Sequence, residues 1–432
     1  MNDLVPEGWT NYRIRDVADT SDRYSFTGGP FGSDLKSEDY TNNGVRIIQL
    51  QNIGDGHFKN KYKIYTSEEK ADALHSCNIY PGDIILSKMG DPVARAVIIP
   101  SISNRYLMAS DGIRLSINKS RFDTKFVHDM INSVPFRNQA EMNSTGSTRK
   151  RIGLTQLREL EFICPPLPEQ QKIAKILTSV DDVIEKTQAQ IDKLKDLKTG
   201  MMQELLTRGV GVDGKPHTEF KDSPVGRIPV GWEVVTFGSI TLESAFGPRF
   251  SSNEYALDGN IGCIRTTDMD ENWDIDYSTT PRARLKFEEF EKHFLEDGDL
   301  LVTRSGTCGL VDVFKKQSIP MVAAAFLIRF RLNETVNPYF IRYLMMSSDI
   351  QEKIQNLASG GVQKNLSGTN LKTLALPKPD INEQNKIVEI IESINRRLLA
   401  AKIKQHSNKN LKKALMQDLL TGKVRVKVDS QP

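Results

Sequence analysis

The sequence contains a long internal repeat. From Gly146 to about Thr421 the chain aligns with itself at a constant offset of 214 positions and without a gap. Between Pro165 and Thr207, 15 of the 43 aligned pairs are identical, which is too many to arise by chance in an ungapped alignment. The repeated unit is a domain followed by a long helix with one apolar face. Such a chain must bury two equivalent helical faces, so the repeat limits the possible folds more than any other feature.

Composition indicates a globular protein. The chain has 432 residues, enough for two to four domains, with 38% hydrophobic and 26% charged residues. The N-terminus lacks a basic region followed by an apolar stretch, and no window approaches 18 unbroken apolar residues. We therefore expect a cytoplasmic protein without a membrane partner, with Cys77, Cys164, Cys263 and Cys308 as reduced packing thiols. The net charge of +3 is too small for a stand-alone nucleic-acid binder, so DNA contacts would come from local patches or from a complex.

The repeat predicts an α+β fold in which two globular domains alternate with two long helices. The two domains open alike, because Val5–Trp9 matches Ile228–Trp232 at an offset of 223. Both domains also contain Gly-Asp, an apolar strand and a glycine turn, and here the offset is 216. The changing offset shows that loops inside the domains differ in length while the helices do not. The predicted boundaries are residues 1–165 for the first domain, 166–208 for the first helix, 209–378 for the second domain with its linker at 209–227, 379–421 for the second helix and 422–432 for a tail.

Each predicted helix carries an apolar seam with residues in steps of three and four, the pattern of a coiled coil. Prolines precede each helix, a Glu-Gln pair lies in the first turn where an acid suits the helix dipole, and a glycine follows the last turn. Gln405, Asn408, Lys198 and Lys412 interrupt the seam. They either fix the pairing register or belong to frayed or partner-facing helix ends. The predicted seam residues are Ile173, Leu177, Val180, Ile184, Ile191, Leu194, Met201 and Leu205 in the first helix, and Ile387, Ile391, Ile394, Leu398, Leu415 and Leu419 in the second.

Two pairings of the helices are possible. An intermolecular coiled coil would make a homodimer. Alternatively, the chain folds back so that its two equal helices pair antiparallel within one molecule, with a pseudo-two-fold axis relating the repeats. We favour the second pairing because it buries both seams without a partner. About 36 helical residues at ~1.5 Å rise make a rod of roughly 50 Å, and one turn of B-DNA is about 34 Å, so two domains on such a rod could reach successive major grooves.

Known catalytic motifs are missing from the sequence. There is no GxxxxGK[ST] phosphate loop, which argues against ATP hydrolysis by this chain. Asn337–Phe340 superficially matches a motif of amino-methyltransferases, but it lacks the second proline, and a helix cap explains it with less strain. Asp83 with Lys88 lacks the partners of a nuclease site, and the six histidines have no metal-ligand or triad spacing. We expect no catalytic residue, no metal site and no cofactor bound by this chain.

Polar loops at matched places are the candidate DNA-binding sites. Residues 146–151 align with 360–365, and both loops combine glycines with cationic and amide side chains just ahead of the last apolar strand of each domain. Backbone amides and lysines suit phosphates, while Arg, Gln and Asn can pair with base edges in the major groove. A solvated surface loop is the alternative for each of them. The candidate residues are Arg46, Gln49, Gln51, Asn52, Lys88, Ser147, Arg149, Lys150, Arg151, Arg249, Arg265, Arg304, Gly361, Gln363, Lys364 and Asn365.

These features together resemble a known family. Glu-Gln-x-Lys-Ile after a proline-containing turn, followed by a long helix and present twice behind two dissimilar domains, resembles the specificity subunit of type I restriction-modification systems. Pro30–Lys36 and Gly82–Lys88 also look like stretches common in the target-recognition domains of that family. One departure is Asn382 in the second copy, where the first copy has Pro168.

The resemblance implies a non-catalytic subunit that reads a bipartite double-stranded DNA target, one half-site per domain, with the helical rod fixing the unread spacer. It implies two modification subunits that carry S-adenosylmethionine chemistry on adenine N6. It also implies two restriction subunits that carry ATP-driven translocation and Mg2+-dependent cleavage. Two other hypotheses stay open here: a self-contained adenine methyltransferase, which the missing motifs argue against, and a coiled-coil assembly protein without a DNA role.

Overall fold

The computed structural model describes residues 5–147, 149–211, 214–270, 272–358 and 364–428. The chain divides into two compact units: unit 1 is Met1–Ala189 with Ile403–Pro432, and unit 2 is Gln190–Lys402. Each unit therefore contains one globular domain, part of the helix that follows it and part of the other long helix.

The strands of unit 1 are β1 (Thr10–Arg13), β2 (Phe26–Gly28), β3 (Tyr40–Thr41), β4 (Val45–Ile48), β5 (Ile64–Thr66), β6 (Asn78–Ile79), β7 (Ile84–Ser87), β8 (Ala96–Ile98), β9 (Tyr106–Met108), β10 (Gly112–Leu115) and β11 (Glu161–Cys164). They form an antiparallel pair β1-β11, an antiparallel sheet β2-β10-β7-β8 and a sheet β3-β5-β4-β9-β6. In the last sheet β4 and β9 run parallel. These strands carry mostly buried residues, so the four-stranded and five-stranded sheets supply much of the core.

The helices of unit 1 are α1 (Glu68–Ala73), α2 (Thr124–Ile131), α3 (Val134–Met142), α4 (Leu154–Glu159) and the N-terminal part of α5 (Leu167–Arg208). The Asp123 side chain begins α2 by accepting a hydrogen bond from the backbone N–H of Phe126 at 2.9 Å. Phe126 then lies fully buried in the same apolar cluster as Ile113 of β10. The α2 helix thereby covers one face of the four-stranded sheet.

The strands of unit 2 are β12 (Phe220–Lys221), β13 (Ile228–Pro229), β14 (Glu233–Thr236), β15 (Thr241–Phe246), β16 (Ile261–Ile264), β17 (Arg282–Ala283), β18 (Leu300–Thr303), β19 (Val311–Val313), β20 (Met321–Ala323), β21 (Leu327–Leu332) and β22 (Ala375–Lys378). They form the pairs β12-β13 and β14-β22, an antiparallel sheet β15-β21-β18-β19 and a sheet β17-β16-β20 with β16 and β20 parallel. The four-stranded sheets have corresponding orders in the two units, and β17-β16-β20 corresponds to β5-β4-β9 of the five-stranded sheet. The sequence-based expectation of an α+β fold with two like domains is confirmed.

The helices of unit 2 are α6 (Phe287–Phe290), α7 (Pro338–Met346), α8 (Ser348–Leu357), α9 (Gly368–Lys372) and the N-terminal part of α10 (Ile381–Leu419). Asn337 caps α7, because its side-chain oxygen accepts hydrogen bonds from Tyr339 N–H at 2.9 Å and Phe340 N–H at 3.4 Å. Pro338 occupies the first helical position. The interpretation of Asn337–Phe340 as a helix start is thus confirmed.

The two long helices pair antiparallel within one chain, as the sequence predicts. In unit 1, Asp181 of α5 contacts Lys412 of α10, and seven residues later Gln188 contacts Gln405. The numbering rises in one helix and falls in the other, which defines an antiparallel pair. In unit 2, Leu194 of α5 lies in one apolar cluster with Ala401 of α10.

The predicted seam residues are buried or half-buried. Those that are buried are Ile173, Leu177, Ile191, Leu194, Leu205, Ile387, Ile391, Ile394 and Leu419. Those that are half-buried are Val180, Ile184, Met201, Leu398 and Leu415.

Two of the polar seam residues, Lys412 and Gln405, have defined partners on the facing helix. Lys412 Nζ lies 2.6 Å from Asp181 Oδ1, and the other Asp181 oxygen accepts from Lys125 of α2 at 2.8 Å. Lys125 also pairs with buried Asp129 at 2.6 Å. The network therefore joins the globular domain to both long helices inside unit 1.

The other interruptions of the seam differ in their surroundings. Gln405 donates a hydrogen bond of 2.6 Å to the Gln188 side chain. The Asn408 amide nitrogen is buried and has no partner among the described residues. Lys198, the repeat equivalent of Lys412, is half-buried in unit 2, and burial together with the nearby Arg342 charge lowers its pKa.

Among the described residues, no helix has a stretch long and apolar enough to cross a membrane.

Candidate nucleic-acid interface

In each four-stranded sheet one of the two inner strands, β7 or β18, is followed by a cationic residue held by the same backbone hydrogen bonds. After β7, Lys88 donates its N–H to Asp111 O at 2.8 Å and accepts from Ile152 N at 2.9 Å. After β18, Arg304 donates to Phe326 O at 2.9 Å and accepts from Leu366 N at 2.8 Å. The two positions are structurally equivalent, at the offset of 216 seen in the sequence. We call them, with their neighbours, the strand-end sites.

The candidate loops meet these strand ends. Arg151 forms an isolated antiparallel bridge with Met89, and Asn365 forms the corresponding bridge with Ser305. Arg151 and Asn365 are thus held beside the residues that follow Lys88 and Arg304. The sequence alignment paired these loops with each other, but their contact with the strand ends depends on the tertiary fold.

A glycine at the end of the edge strand holds a third segment against each site. A side chain at Gly29 would overlap the carbonyl oxygen of Ala109, and one at Gly247 would overlap that of Ala323. Because the backbones approach so closely, only glycine fits at either position. The following Pro-Phe and Pro-Arg dipeptides place Phe31 and Arg249 at matched positions. Phe31 is 82% exposed, and Arg249 is also exposed.

The strand-end site of unit 1 combines two cations with one acid. Lys88 Nζ donates to Ser110 O at 3.0 Å and packs over Gly28, where a β-carbon would lie 2.9 Å from it. Burial lowers the pKa of Lys88. Arg151 pairs with Asp111 at 2.8 Å, and more than half of its side chain is exposed. A partly neutralised arginine of this kind can exchange its carboxylate partner for a phosphate or a base edge.

The two ends of the loop that carries Arg151 are hydrogen bonded to each other. Thr145 and Arg151 exchange both backbone hydrogen bonds at 2.8 Å, and Gly146 takes the positive φ of 95° that the turn requires. Ser147 and Arg149 are exposed on this loop. Lys150 forms an ion pair with Glu141 at the end of α3. Arg151 and the backbone of Lys150 therefore lie beside the strand end of Lys88, and Ser147 and Arg149 belong to the same loop.

The predicted residues at 46–52 have internal roles. Arg46 is only 3% exposed and donates to Asn60 Oδ1 at 2.5 Å. Asn52 is fully buried and donates to Lys59 O at 3.1 Å and Lys61 O at 2.7 Å. These two side chains hold the 59–61 loop in place, so the geometry does not favour them for DNA contact.

Gln49 and Gln51 lie at the rim of the same segment. The Gln51 amide donates to Gln49 Oε1 at 2.8 Å. Gln51 is exposed and Gln49 is half-buried. Their contact with DNA stays a prediction.

The strand-end site of unit 2 contains Arg304, Asn365 and an aromatic ring. The Arg304 guanidinium carbon lies 4.3 Å from the centroid of the Phe246 ring, and Asn365 Oδ1 accepts from Nε and Nη2, each at 3.3 Å. Lys364 is exposed, and its ammonium lies 3.5 Å from Gln355 Oε1. The predicted residues Gly361 and Gln363 lie outside the described residues.

Arg265 is engaged elsewhere in unit 2. Its guanidinium donates to Asp268 Oδ1 at 2.6 Å, and its backbone N–H donates to Asp268 Oδ2 at 2.8 Å. The ion pair raises the pKa of Arg265. Because Asp268 is fully buried, breaking this pair would leave an uncompensated buried charge, so Arg265 is better placed to hold its turn than to bind DNA.

Sequence reasoning missed the aromatic side chains beside the sites. Phe246 is 46% exposed and Phe326 is 59% exposed, and both lie at the strand end that carries Arg304. The sequence did contain one indication of these sites, the Gly-Pro dipeptides that follow β2 and β15. Their glycines, Gly29 and Gly247, lie where another backbone segment comes too close for a β-carbon. Pairing Phe246 with Arg304, however, requires knowledge of the strand order.

The sites offer cations, amides and aromatic rings, and these groups bind polyanions with exposed bases or base edges. Within the described ranges, no group of three or more His, Cys, Asp or Glu side chains is arranged to hold a metal ion.

Comparisons with known proteins agree on one family. Residues 6–196 and 229–407 match the family model described as type I restriction modification DNA specificity domain. The chain is 25% identical over 433 residues to the putative type I restriction enzyme MjaX specificity subunit of Methanocaldococcus jannaschii, covering 98% of this chain and 95% of that protein. It is 23% identical over 406 residues to the type I restriction enzyme EcoKI specificity subunit of Escherichia coli K12, covering 90% and 82%.

The fold is also similar to a solved structure. The crystal structure of a type I restriction-modification system S subunit from M. genitalium aligns over 95% of this chain and 96% of that one, with a TM-score of 0.57 and 16% sequence identity. At this identity the similarity concerns the fold alone.

Proposed function

The chain belongs to the type I restriction modification DNA specificity family, and from this premise we propose that its two target-recognition domains read a bipartite double-stranded DNA sequence, one half-site each. The observation that carries the proposal is the pair of strand-end sites. Lys88 and Arg304 occupy equivalent backbone positions in the two domains and make equivalent backbone hydrogen bonds. The side chains beside them differ. The same backbone geometry with different side chains would allow the two domains to recognise different base pairs.

The charges at the two sites support a division of labour. Arg149 and Lys364 are exposed, and solvated cationic side chains of this kind commonly contact phosphates. Arg151 and Arg304 are oriented by side-chain partners, which suits bidentate contact with a base edge. Binding should therefore weaken steeply with salt, while sequence preference depends on a few oriented groups.

We further propose that the chain is not catalytic alone and that its helices hold the partner subunits of a type I complex. Two modification subunits would supply S-adenosylmethionine chemistry on adenine, and two restriction subunits would supply ATP-dependent translocation and Mg2+-dependent cleavage. The chain itself would bind none of these cofactors. The small net charge of +3 supports a shared DNA site, because partners would add positive charge around the duplex.

The proposal is tested by exchanging one domain. Residues 1–160 are replaced by the corresponding segment of a relative with another specificity, and the chimaera is expressed with the modification subunit. We expect one half of the methylated motif to change and the other half to persist, as read by genome-wide mapping of methylated adenine. The control is the unaltered chain expressed in the same way.

Two results would contradict the proposal. One is a motif in which both halves or neither half respond to the exchange in an active complex. The other is adenine methylation by the purified chain alone, which would favour a self-contained methyltransferase.

A further inference from the structure

The arginines of unit 2 fall into two groups. Many are neutralised by acids, as Arg284 is by Asp258 at 2.6 Å and Arg331 by Asp299 at 2.9 Å. Arg304 is instead held by an aromatic ring and a neutral amide oxygen. Its guanidinium is oriented but keeps its full charge available for an external acceptor.

The backbone of Arg304 is fixed on both sides. Its N–H and carbonyl are hydrogen bonded to Phe326 and Leu366, and the thiol of buried Cys308 donates to the same carbonyl at 3.0 Å. The side chain therefore starts from a rigid strand end rather than from a loose loop. A side chain that starts from such a fixed backbone loses less conformational entropy when it binds a ligand.

The hydrogen-bonding edge left open on Arg304 is defined. Asn365 Oδ1 accepts from Nε and Nη2. The Nη1 hydrogens and the second Nη2 hydrogen have no partner among the described residues. Two parallel N–H donors from Nη1 and Nη2 match the O6 and N7 acceptors of guanine in the major groove.

The surroundings favour a base over a phosphate. Phe246 and Phe326 are 46% and 59% exposed, so the guanidinium lies at a partly apolar surface. Flat aromatic and guanidinium groups can contact the planes and methyl groups of bases. Arginine also binds a phosphate bidentately, but a phosphate has no flat or apolar face to contact the exposed rings of Phe246 and Phe326.

We propose that Arg304 recognises a guanine in the half-site read by unit 2, with Phe246 and Asn365 as its positioning residues. The inference rests on the proposed function and deepens it at one residue. In unit 1 the equivalent Lys88 is tied to Ser110 O, and Gly28 replaces the ring. The two half-sites are therefore read by different chemistry at equivalent positions.

The test uses the full chain expressed with its modification subunit and compares methylated motifs across a genome. Arg304→Lys keeps the charge but removes the paired donors. We expect it, like Arg304→Ala, to lower the preference for guanine at one position of one half-site by about 10- to 100-fold. The control is Arg284→Ala, which removes an exposed arginine of the same unit and should leave the motif unchanged.

Variants of the positioning residues provide a second test if the Arg304 variants fail to assemble with the modification subunit. Asn365→Ala and Phe246→Leu retain Arg304 but loosen its plane, so each should partly relax the same guanine. An unchanged motif in Arg304→Lys would overturn the inference in favour of a phosphate contact. Relaxation at a base other than guanine, or in the half-site changed by the 1–160 exchange, would overturn it as well. If that exchange alters one half-site while Arg304→Lys alters none, the proposed function stands and this inference alone fails.

Discussion

At the scale of single residues, the two domains keep the groups that shape the backbone and vary the groups that face outward. Gly29 and Gly247 are both required by a neighbouring carbonyl oxygen, whereas the side chains two positions later are Phe31 and Arg249. The same contrast separates Lys88 from Arg304. Backbone geometry is thus the same in the two copies at positions where the side chains differ.

Because Gly29 lies so close to the Ala109 carbonyl oxygen, adding a single methyl group at this position should reduce stability. Gly29→Ala should lower the free energy of unfolding by about 1–3 kcal/mol, because the backbone near Ala109 must move to admit the β-carbon. The matched control is Gly32→Ala, where a β-carbon meets no atom within 4 Å and the effect should stay within about 0.5 kcal/mol. Chemical denaturation of the full chain measures both. Equal stability of the two variants would refute this account of Gly29.

At the scale of elements, the Glu-Gln pair at the start of each long helix attaches that helix to its domain. Gln170 accepts a hydrogen bond from Asp123 N–H at 2.8 Å, and Gln384 accepts one from Asn337 N–H at 2.8 Å. Asp123 caps α2 and Asn337 caps α7, so each glutamine binds the capping residue of a helix in the preceding domain. Sequence reasoning assigned the pair to the helix dipole alone. The pattern could show that a polar pair begins each helix, but not which buried donors it satisfies.

The glutamates fasten the ends of the two long helices. Glu383 accepts from Trp232 Nε1 at 3.0 Å, from Val210 N–H at 2.8 Å and lies 2.9 Å from His217 Nε2. Its repeat equivalent, Glu169, pairs instead with Arg425 at 2.8 Å. In each unit, a helix start therefore binds the segment that follows the end of the other helix.

Removing this acceptor should be costly. We expect Glu383→Ala to destabilise unit 2 by about 1–3 kcal/mol, because it leaves the buried Trp232 N–H unpaired. Glu389→Ala, at an exposed position of the same helix, provides the control and should change stability little. Hydrogen exchange at residues 205–210 would localise the loss. Unchanged protection there in Glu383→Ala would show that the contact does not fasten the helix end.

At the scale of the whole molecule, the repeat combines helices of equal length with domains of different surface. The offset stays at 214 through both helices and shifts to 216 and 223 inside the domains. The two copies therefore differ in length inside the globular domains but not along the paired helices. We interpret the constant helix length as a requirement for a fixed number of unread base pairs between half-sites.

Changing the helix length tests that interpretation. Deleting the matched heptads 186–192 and 400–406 removes about 10 Å from each helix at ~1.5 Å per residue. The preferred spacer should then shorten by about three base pairs, given ~3.4 Å per base pair, while both half-site sequences persist. Inserting one heptad at each place should lengthen it by a similar amount. Methylation mapping measures both, and a constant spacer in both variants would exclude a role of helix length.

The sequence by itself determined the two-fold use of one unit, and it favoured antiparallel pairing of the two long helices within the chain. These properties follow from local periodicity and from the need to bury two equal seams. Only the tertiary structure decided which candidate side chains are available. Arg46 and Asn52 proved to be internal, whereas Arg304, Asn365 and Phe246 came together from three distant segments. Exposure and orientation depend on strand order and long-range packing, and a linear pattern does not contain that information.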